Sequence, residues 1–186
     1  MNKRYLKVMF GNVSGANNNL EYKIGEVNFA PFWNPSSNEP KEIGGFNFST
    51  EEKILRWLVR GDTIYDVVIP DDTEIVNCES ISTPNGVFRS NKIIITNPRK
   101  VTDEIAMDLY LKSNIPEKSY YKSLAGLAIR GHINTCKKLI NNRISKDNID
   151  EVLAEISDFV KPEDVTGGGN REVYNEVLDI LNKIKK

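Results

Sequence analysis

The residues best able to do chemistry are few and widely spaced. His132 is the only histidine, so any His-based triad would have to use it. It lies at the junction of two helical patterns, and we expect it to cap a helix or border the core. Cys78 and Cys136 are 58 residues apart. A structural zinc site needs about four ligands, so none is expected, and the two cysteines are interpreted as free, buried thiols.

The acidic and glycine-rich segments do not complete a catalytic site either. Asp71, Asp72 and Glu74 follow Pro70 in a turn, where carboxylates are solvated rather than paired for glycoside hydrolysis or for holding Mg²⁺. The triplet at 167–169 precedes a helix, but a phosphate loop also needs a Gly-Lys-Ser/Thr end and a preceding strand. It therefore indicates a flexible linker. We expect no metal site and lean against an enzyme.

Charge and hydropathy exclude other classes. Residues 1–100 carry 12 basic and 12 acidic side chains, and residues 101–186 carry 13 and 14. Neither part has the excess of positive charge that a general nucleic-acid binder needs. No run approaches the ~20 apolar residues of a membrane helix, and no apolar segment follows the charged residues 3–7 as in a signal peptide. We expect a cytoplasmic protein without a membrane partner.

The front of the chain shows the short apolar runs and turn residues of a sheet. Strands are expected at 3–10, 20–29, 45–48, 63–69, 73–78, 87–88 and 92–96, with turns at 14–19 and 83–86 and a stop at Asn97-Pro98. Ser49 or Thr50 would cap a single helix at 50–60. A long loop at 30–45 carries Phe32 and Trp33, which we expect to anchor it to the core.

From residue 101 the pattern becomes helical. Thr102 is expected to cap the first helix, Pro116 to begin the second and Asp147 to cap the fourth, with a last helix at 171–185. The fold class is therefore α+β: a small, mostly antiparallel β domain with one helix at 1–100, followed by an all-α domain at 101–186.

Two segments of the β domain resemble a known family. Gly45-Phe46-Asn47-Phe48-Ser49-Thr50 and Tyr65-Asp66-Val67-Val68-Ile69-Pro70 are similar to the middle of the ADP-ribosyltransferase core. The resemblance implies a split sheet that holds NAD, with Ser49 and Thr50 near the nicotinamide and Arg4 as the basic residue of the first strand. The family's catalytic Glu has no counterpart at 84–92, and Glu79 lies before the turn. The resemblance thus implies a non-catalytic version.

Residues 20–100 also resemble small uncharacterised proteins of phages, prophages and large DNA viruses. The shared features are the Gly-Phe-x-Phe step at 45–48, the Ile-Pro-Asp-Asp turn at 69–72 and the Arg-x-x-Lys-Ile step at 89–93. The resemblance implies a viral or mobile-element origin.

Residues 123–140 resemble the helix pair of an ankyrin repeat, in which Gly-His joins the helices. One copy is visible, whereas about three repeats are needed to bury their faces. We therefore expect an ordinary helical hairpin.

These observations support three hypotheses. The first is a non-enzymatic module that binds another protein, such as a phage protein that inhibits a host process or defence system, with no cofactor. The second is a sensor or enzyme that binds NAD or a related nucleotide through Arg4, Phe46, Ser49, Thr50 and Tyr65. The third is a nucleic-acid-binding accessory protein. The candidate interaction surface consists of Phe32, Trp33, Arg89, Lys92, Arg99 and Lys100.

Overall fold

The structure is a computed structural model that describes residues 3–14, 20–78 and 86–186. Its fold is α+β, as the residue patterns predict: a seven-stranded antiparallel sheet combined with α-helices. The chain forms two compact units. The sheet unit comprises Met1–Ile54 and Gly61–Lys100, and the helical unit comprises Leu55–Arg60 and Val101–Lys186.

The strands of the sheet unit are short. Their bounds are β1 Tyr5–Met9, β2 Val13–Ser14, β3 Leu20–Glu21, β4 Val27–Phe29, β5 Phe46–Thr50, β6 Thr63–Val68, β7 Ile75–Asn77, β8 Phe88–Ser90 and β9 Lys92–Lys100. The large sheet has the order β4-β9-β6-β1-β5-β8-β7, and β2 and β3 form a separate hairpin. The predicted turns at 14–19 and 83–86 and the acid Glu79 lie mostly outside the described residues.

The sheet is strongly bent. Three strands lie between β8 and β9 in the sheet order, yet Asn91 alone joins them. Because successive Cα atoms are about 3.8 Å apart, Ser90 and Lys92 are within roughly 8 Å of each other. The inner face therefore curves around a core of aromatic and aliphatic side chains: Met9, Tyr22, Phe46, Phe48, Tyr65, Val67, Ile93 and Ile95.

Three local predictions for the sheet unit are wrong. The strand at 20–29 is interrupted, because Gly25 has a φ of +79° and the Asn28 side chain bonds to the Lys23 backbone. The loop at 30–45 contains a short helix, α1, at Pro40–Ile43. Asn97-Pro98 does not end β9. A single residue of β6 lies opposite both Asn97 and Pro98, which is a β-bulge, and Asn97 in this bulge has a φ of +50°.

The helix predicted at 50–60 also differs. Ser49 and Thr50 belong to β5, where Thr50 is opposite Tyr5, so neither caps a helix. Only Ile54–Arg60 is helical, and it is a 3₁₀ helix. Because β5 continues to Thr50, the helical residues begin later than predicted. A 3₁₀ run of seven residues is unusually long.

The helical unit is built around a buried central helix. Its helices are α2 Asp103–Lys112, α3 Glu117–Ile129, α4 Ile133–Arg143, α5 Ile149–Ser157 and α6 Arg171–Lys185. Helix α3 packs against α4, α5 and α6 and is buried over most of its length. The Thr102 cap is confirmed, whereas Pro116 precedes α3 and Asn148, rather than Asp147, precedes α5. Asn148 takes the position before α5 that was predicted for Asp147. The Asn148 side chain closes the preceding turn by accepting a hydrogen bond from Ser145 N.

Candidate functional site

The most prominent surface feature is a group of apolar side chains on the outer face of the sheet. Val27, Ile94 and Val68 are directly opposite one another on β4, β9 and β6, so their side chains point to the same face. Phe29 follows two residues after Val27 on that face. The exposed fractions are 71 % for Phe29, 49 % for Val68 and 36 % for Val27. We call Val27, Phe29, Val68 and Ile94 the β4 apolar surface.

The two aromatic residues of the 30–45 loop have different environments. Trp33 is half-buried: its indole nitrogen donates to a Glu74 carboxylate oxygen, and a Cβ on Gly45 would lie 2.5 Å from its ring. Phe32 is 56 % exposed. Its backbone accepts a 2.9 Å hydrogen bond from Gly45 N. The loop is therefore held by Trp33 and by backbone bonds. The prediction that Phe32 also anchors the loop to the core is wrong, because its side chain is exposed.

Three of the four basic residues of the predicted interaction surface form ion pairs. Lys92 pairs with Asp72 at 2.7 Å, Arg99 with Asp66 at 2.9 Å and Lys100 with Asp62 at 2.6 Å. The fourth, Arg89, donates from Nη1 to the Gly44 carbonyl at 2.9 Å. Because most of these charges are neutralised locally, no observation favours nucleic acid as their ligand.

Asp66 is the centre of the strongest ionic network. Its carboxylate accepts from Arg4 at 2.7 Å, from Arg99 at 2.9 Å and from Asn97 at 2.9 Å. Arg4 also contacts Glu51 at 2.8 Å. Burial opposes ionisation of Asp66, but the bonds from Asn97, Arg99 and Arg4 prevail and lower the pKa of its carboxyl. Arg4 is thus held by two acids of the sheet unit.

The structure does not bring the five candidate nucleotide residues together. Phe46 and Tyr65 are packed in the core, and Thr50 is on the same inner face of the sheet. Arg4 and Ser49 belong to the outer face by strand alternation. Ser49 is buried and donates to the Gly86 carbonyl at 2.6 Å. The NAD hypothesis stays a prediction that this placement does not favour.

Lys7 is a chemically unusual residue that the sequence patterns did not single out. It lies in the middle of β1 and is only 5 % exposed. Pairing between β1 and β5 covers only Tyr5 and Leu6, after which the strands diverge. The Lys7 ammonium donates into this gap, to the Asn47 carbonyl at 2.6 Å, and lies 5.1 Å from the centre of the Tyr22 ring.

No carboxylate contacts Lys7 within the described part of the chain. Burial, assisted by the charge of Arg89, lowers the pKa of Lys7 to about 7. An amine with this pKa can act as a base or nucleophile near neutral pH, but the side chain is enclosed by the core. The sequence feature that could have identified Lys7 is a charged residue between Leu6 and Val8 in an otherwise apolar strand.

The chemically notable residues of the helical unit have structural environments. His132 is buried at the start of α4, makes no side-chain cap bond, and has a pKa lowered mainly by burial. Both cysteines are buried, as predicted. Among the described residues, no group of three or more His, Cys, Asp or Glu could hold a metal ion. No helix in those ranges is long and apolar enough to cross a membrane.

Comparison of the chain with protein families, with curated proteins and with solved structures finds no match. The resemblances to the ADP-ribosyltransferase core, to viral proteins and to an ankyrin helix pair therefore stay predictions.

Proposed function

We propose that the chain is a non-enzymatic protein-binding module whose partner docks on the β4 apolar surface. The observation that carries the proposal is the row Val27, Ile94 and Val68, which crosses three adjacent strands and is extended by Phe29. Of these, Val27, Val68 and Phe29 are exposed. A contiguous apolar area on a protein surface is typical of an interaction site.

The arrangement differs from the scattered exposure of ordinary surfaces. Leu111 and Val160, the exposed large apolar residues of the helical unit, come from separate segments of the chain. Single exposed residues of this kind need no functional explanation. In contrast, cross-strand neighbours can be covered together by one partner. Burying a Phe or Val side chain contributes roughly 1.5–3 kcal/mol, so the surface can supply the apolar centre of an interface.

The biological setting of the proposal rests on the viral resemblance of residues 20–100. A phage or mobile-element protein that acts in the cytoplasm of its host, and inhibits a host process such as a defence system, needs a docking surface but no catalytic centre. In this proposal the sheet unit supplies the docking surface.

The proposal is tested by photo-crosslinking with the whole chain. A photoreactive phenylalanine analogue is placed at Phe29 or Val68, and at Leu111 as a control, since Leu111 is exposed on α2 of the helical unit. We expect the first two positions to capture the same host protein and Leu111 not to capture it. Excess unlabelled wild-type chain should compete, whereas the double variant Val27→Lys, Phe29→Lys should not.

Circular dichroism of the double variant is the folding control, because both side chains are exposed and their replacement should leave the fold intact. If Phe29, Val68 and Leu111 all capture the same set of proteins, or if the double variant competes as well as the wild type, the β4 apolar surface is not the docking site.

A further inference from the structure

Strand β4 is an open edge of the large sheet. It pairs with β9 on one side, and within the described residues no strand pairs with its other side. Ala30 N donates to Asn91 O at 2.7 Å, and bonded pairs alternate along an antiparallel ladder. Asn28 is therefore the β4 residue whose backbone N–H and C=O groups form hydrogen bonds with Ile93 of β9. The backbone N–H and C=O groups of Val27 and Phe29 point away from β9.

The chain segment before β4 does not cover this edge. The Asn28 side chain is on the inner face, and it bonds to Lys23 N at 2.8 Å and to Lys23 O at 2.9 Å. Ile24 also forms a bridge with Ile95 of β9, and Gly25 N donates to Ile95 O at 2.9 Å. The segment before β4 therefore lies beside β9, beyond the end of β4, rather than along the free edge of β4. Edge strands usually carry a lysine, a proline or a bulge that discourages further pairing. The three residues of β4 include none of these features.

Two ion pairs lie beside this edge. Lys23 lies 3.7 Å from Glu26, and Lys92, which is largely buried, lies 2.7 Å from Asp72. Among the described residues, an approaching segment therefore meets apolar side chains and backbone groups without a strand partner, next to charges that are already paired. This environment suits an uncharged, extended segment whose alternate side chains are apolar.

We propose that β4 captures such an extended apolar segment of another protein as an additional strand. The inference rests on the proposed function, since Val27 and Phe29 supply both the backbone groups and part of the β4 apolar surface. A second copy of the chain is a poorer occupant. A ladder between two three-residue strands would bury far less than the ~1,200 Å² of a stable protein interface, whereas a short peptide needs only a few ladder bonds and side-chain contacts.

The test selects peptides from a displayed library of random decapeptides against the whole chain. We expect enrichment of sequences with alternating apolar residues. Alternate residues of an added strand direct their N–H groups toward β4, and the residues between them direct theirs away. Methylation of the backbone nitrogens that face β4 should weaken binding of a selected peptide at least ~10-fold, because it removes the ladder donors. Methylation of the other set of nitrogens should be tolerated. Amide exchange measured by NMR should be fast at Val27 and Phe29 in the free chain and slow in the complex.

Phe29→Pro and Phe29→Val separate the backbone from the side chain. Phe29→Pro removes the outward donor and should abolish binding, whereas Phe29→Val keeps the donor and should retain part of it. Equal enrichment on the wild type and on Phe29→Pro, or equal binding by both methylated registers, overturns strand addition. So does concentration-dependent dimerisation that protects Val27 and Phe29 without peptide. If strand addition is overturned but crosslinking from Phe29 and Val68 still captures one partner, the proposed function stands and the partner docks on side chains alone.

Discussion

At the scale of single residues, Lys7 has an environment that disfavours its charge. A lysine is almost never fully buried without a carboxylate partner, because removing its charge from water is costly. Lys7 donates to one backbone carbonyl and contacts the Tyr22 ring, and burial lowers its pKa to about 7. In the unfolded chain the amine titrates near 10.4. The unfolded state therefore binds more protons between these two pH values, and the wild type gains stability as the pH rises across this range.

Replacement of Lys7 by methionine should remove this dependence. We expect Lys7→Met to be more stable than the wild type at pH 6 by about 1–3 kcal/mol, since several kcal/mol of charge penalty are removed and one carbonyl bond is lost. The advantage should disappear by about pH 10. Urea unfolding at a series of pH values measures both effects. Lys23→Met, at an exposed position, is the control. Parallel stability curves for wild type and Lys7→Met would contradict the buried environment.

At the scale of elements, one carboxylate joins two helices. Asp103 is the first residue of α2, yet its side chain satisfies the start of α4: it accepts from Asn134 N at 2.8 Å and from Thr135 N at 3.0 Å. Burial opposes ionisation, but the bonds from Thr135 and Asn134 prevail and lower the pKa of Asp103. A negative charge at a helix N-terminus also interacts favourably with the helix dipole.

Asp103→Asn should destabilise the helical unit by about 1–2 kcal/mol at neutral pH. The folded-state pKa of Asp103 is depressed, so its contribution is present above the unfolded value and is lost as the pH falls through the folded value. The difference between variant and wild type should therefore shrink below about pH 4. Thermal unfolding followed by circular dichroism measures it. Asp108→Asn, on the exposed side of the same helix, should be nearly neutral; an equal effect would argue against the capping role.

At the scale of the whole molecule, the helical unit is not continuous in sequence. The 3₁₀ segment contributes the buried residues Leu55, Leu58 and Val59 to it. The Val59 carbonyl accepts from Arg130 Nε at 3.0 Å and from Arg130 Nη2 at 2.6 Å, and Arg130 also donates to Gly168 O at 2.7 Å. One guanidinium thus connects segments that are far apart along the chain.

Truncation of this inserted segment's core should weaken the helical unit. Leu58→Ala is expected to cost about 2–5 kcal/mol and to accelerate amide exchange in α3, because the segment packs beside Gly126 through Val59. Leu111→Ala removes an exposed leucine and should cost under about 0.5 kcal/mol. Unchanged exchange in α3 of Leu58→Ala would show that residues 55–60 do not stabilise the helical unit.

The α+β fold class and most helices can be predicted from the sequence, because caps such as Thr102 and periodic apolar residues act within one or two turns of chain. The prediction that Phe32 and Trp33 anchor their loop to the core is wrong for Phe32, which is exposed. Which side chains meet depends on the tertiary structure. The β4 apolar surface depends on pairing of β4 with β9 and of β9 with β6. The pairing that encloses Lys7, the bulge at Asn97 and the contribution of Leu55–Arg60 to the helical unit likewise depend on distant partners. Local propensities cannot specify these contacts, because register and strand order depend on which distant segments bury each other.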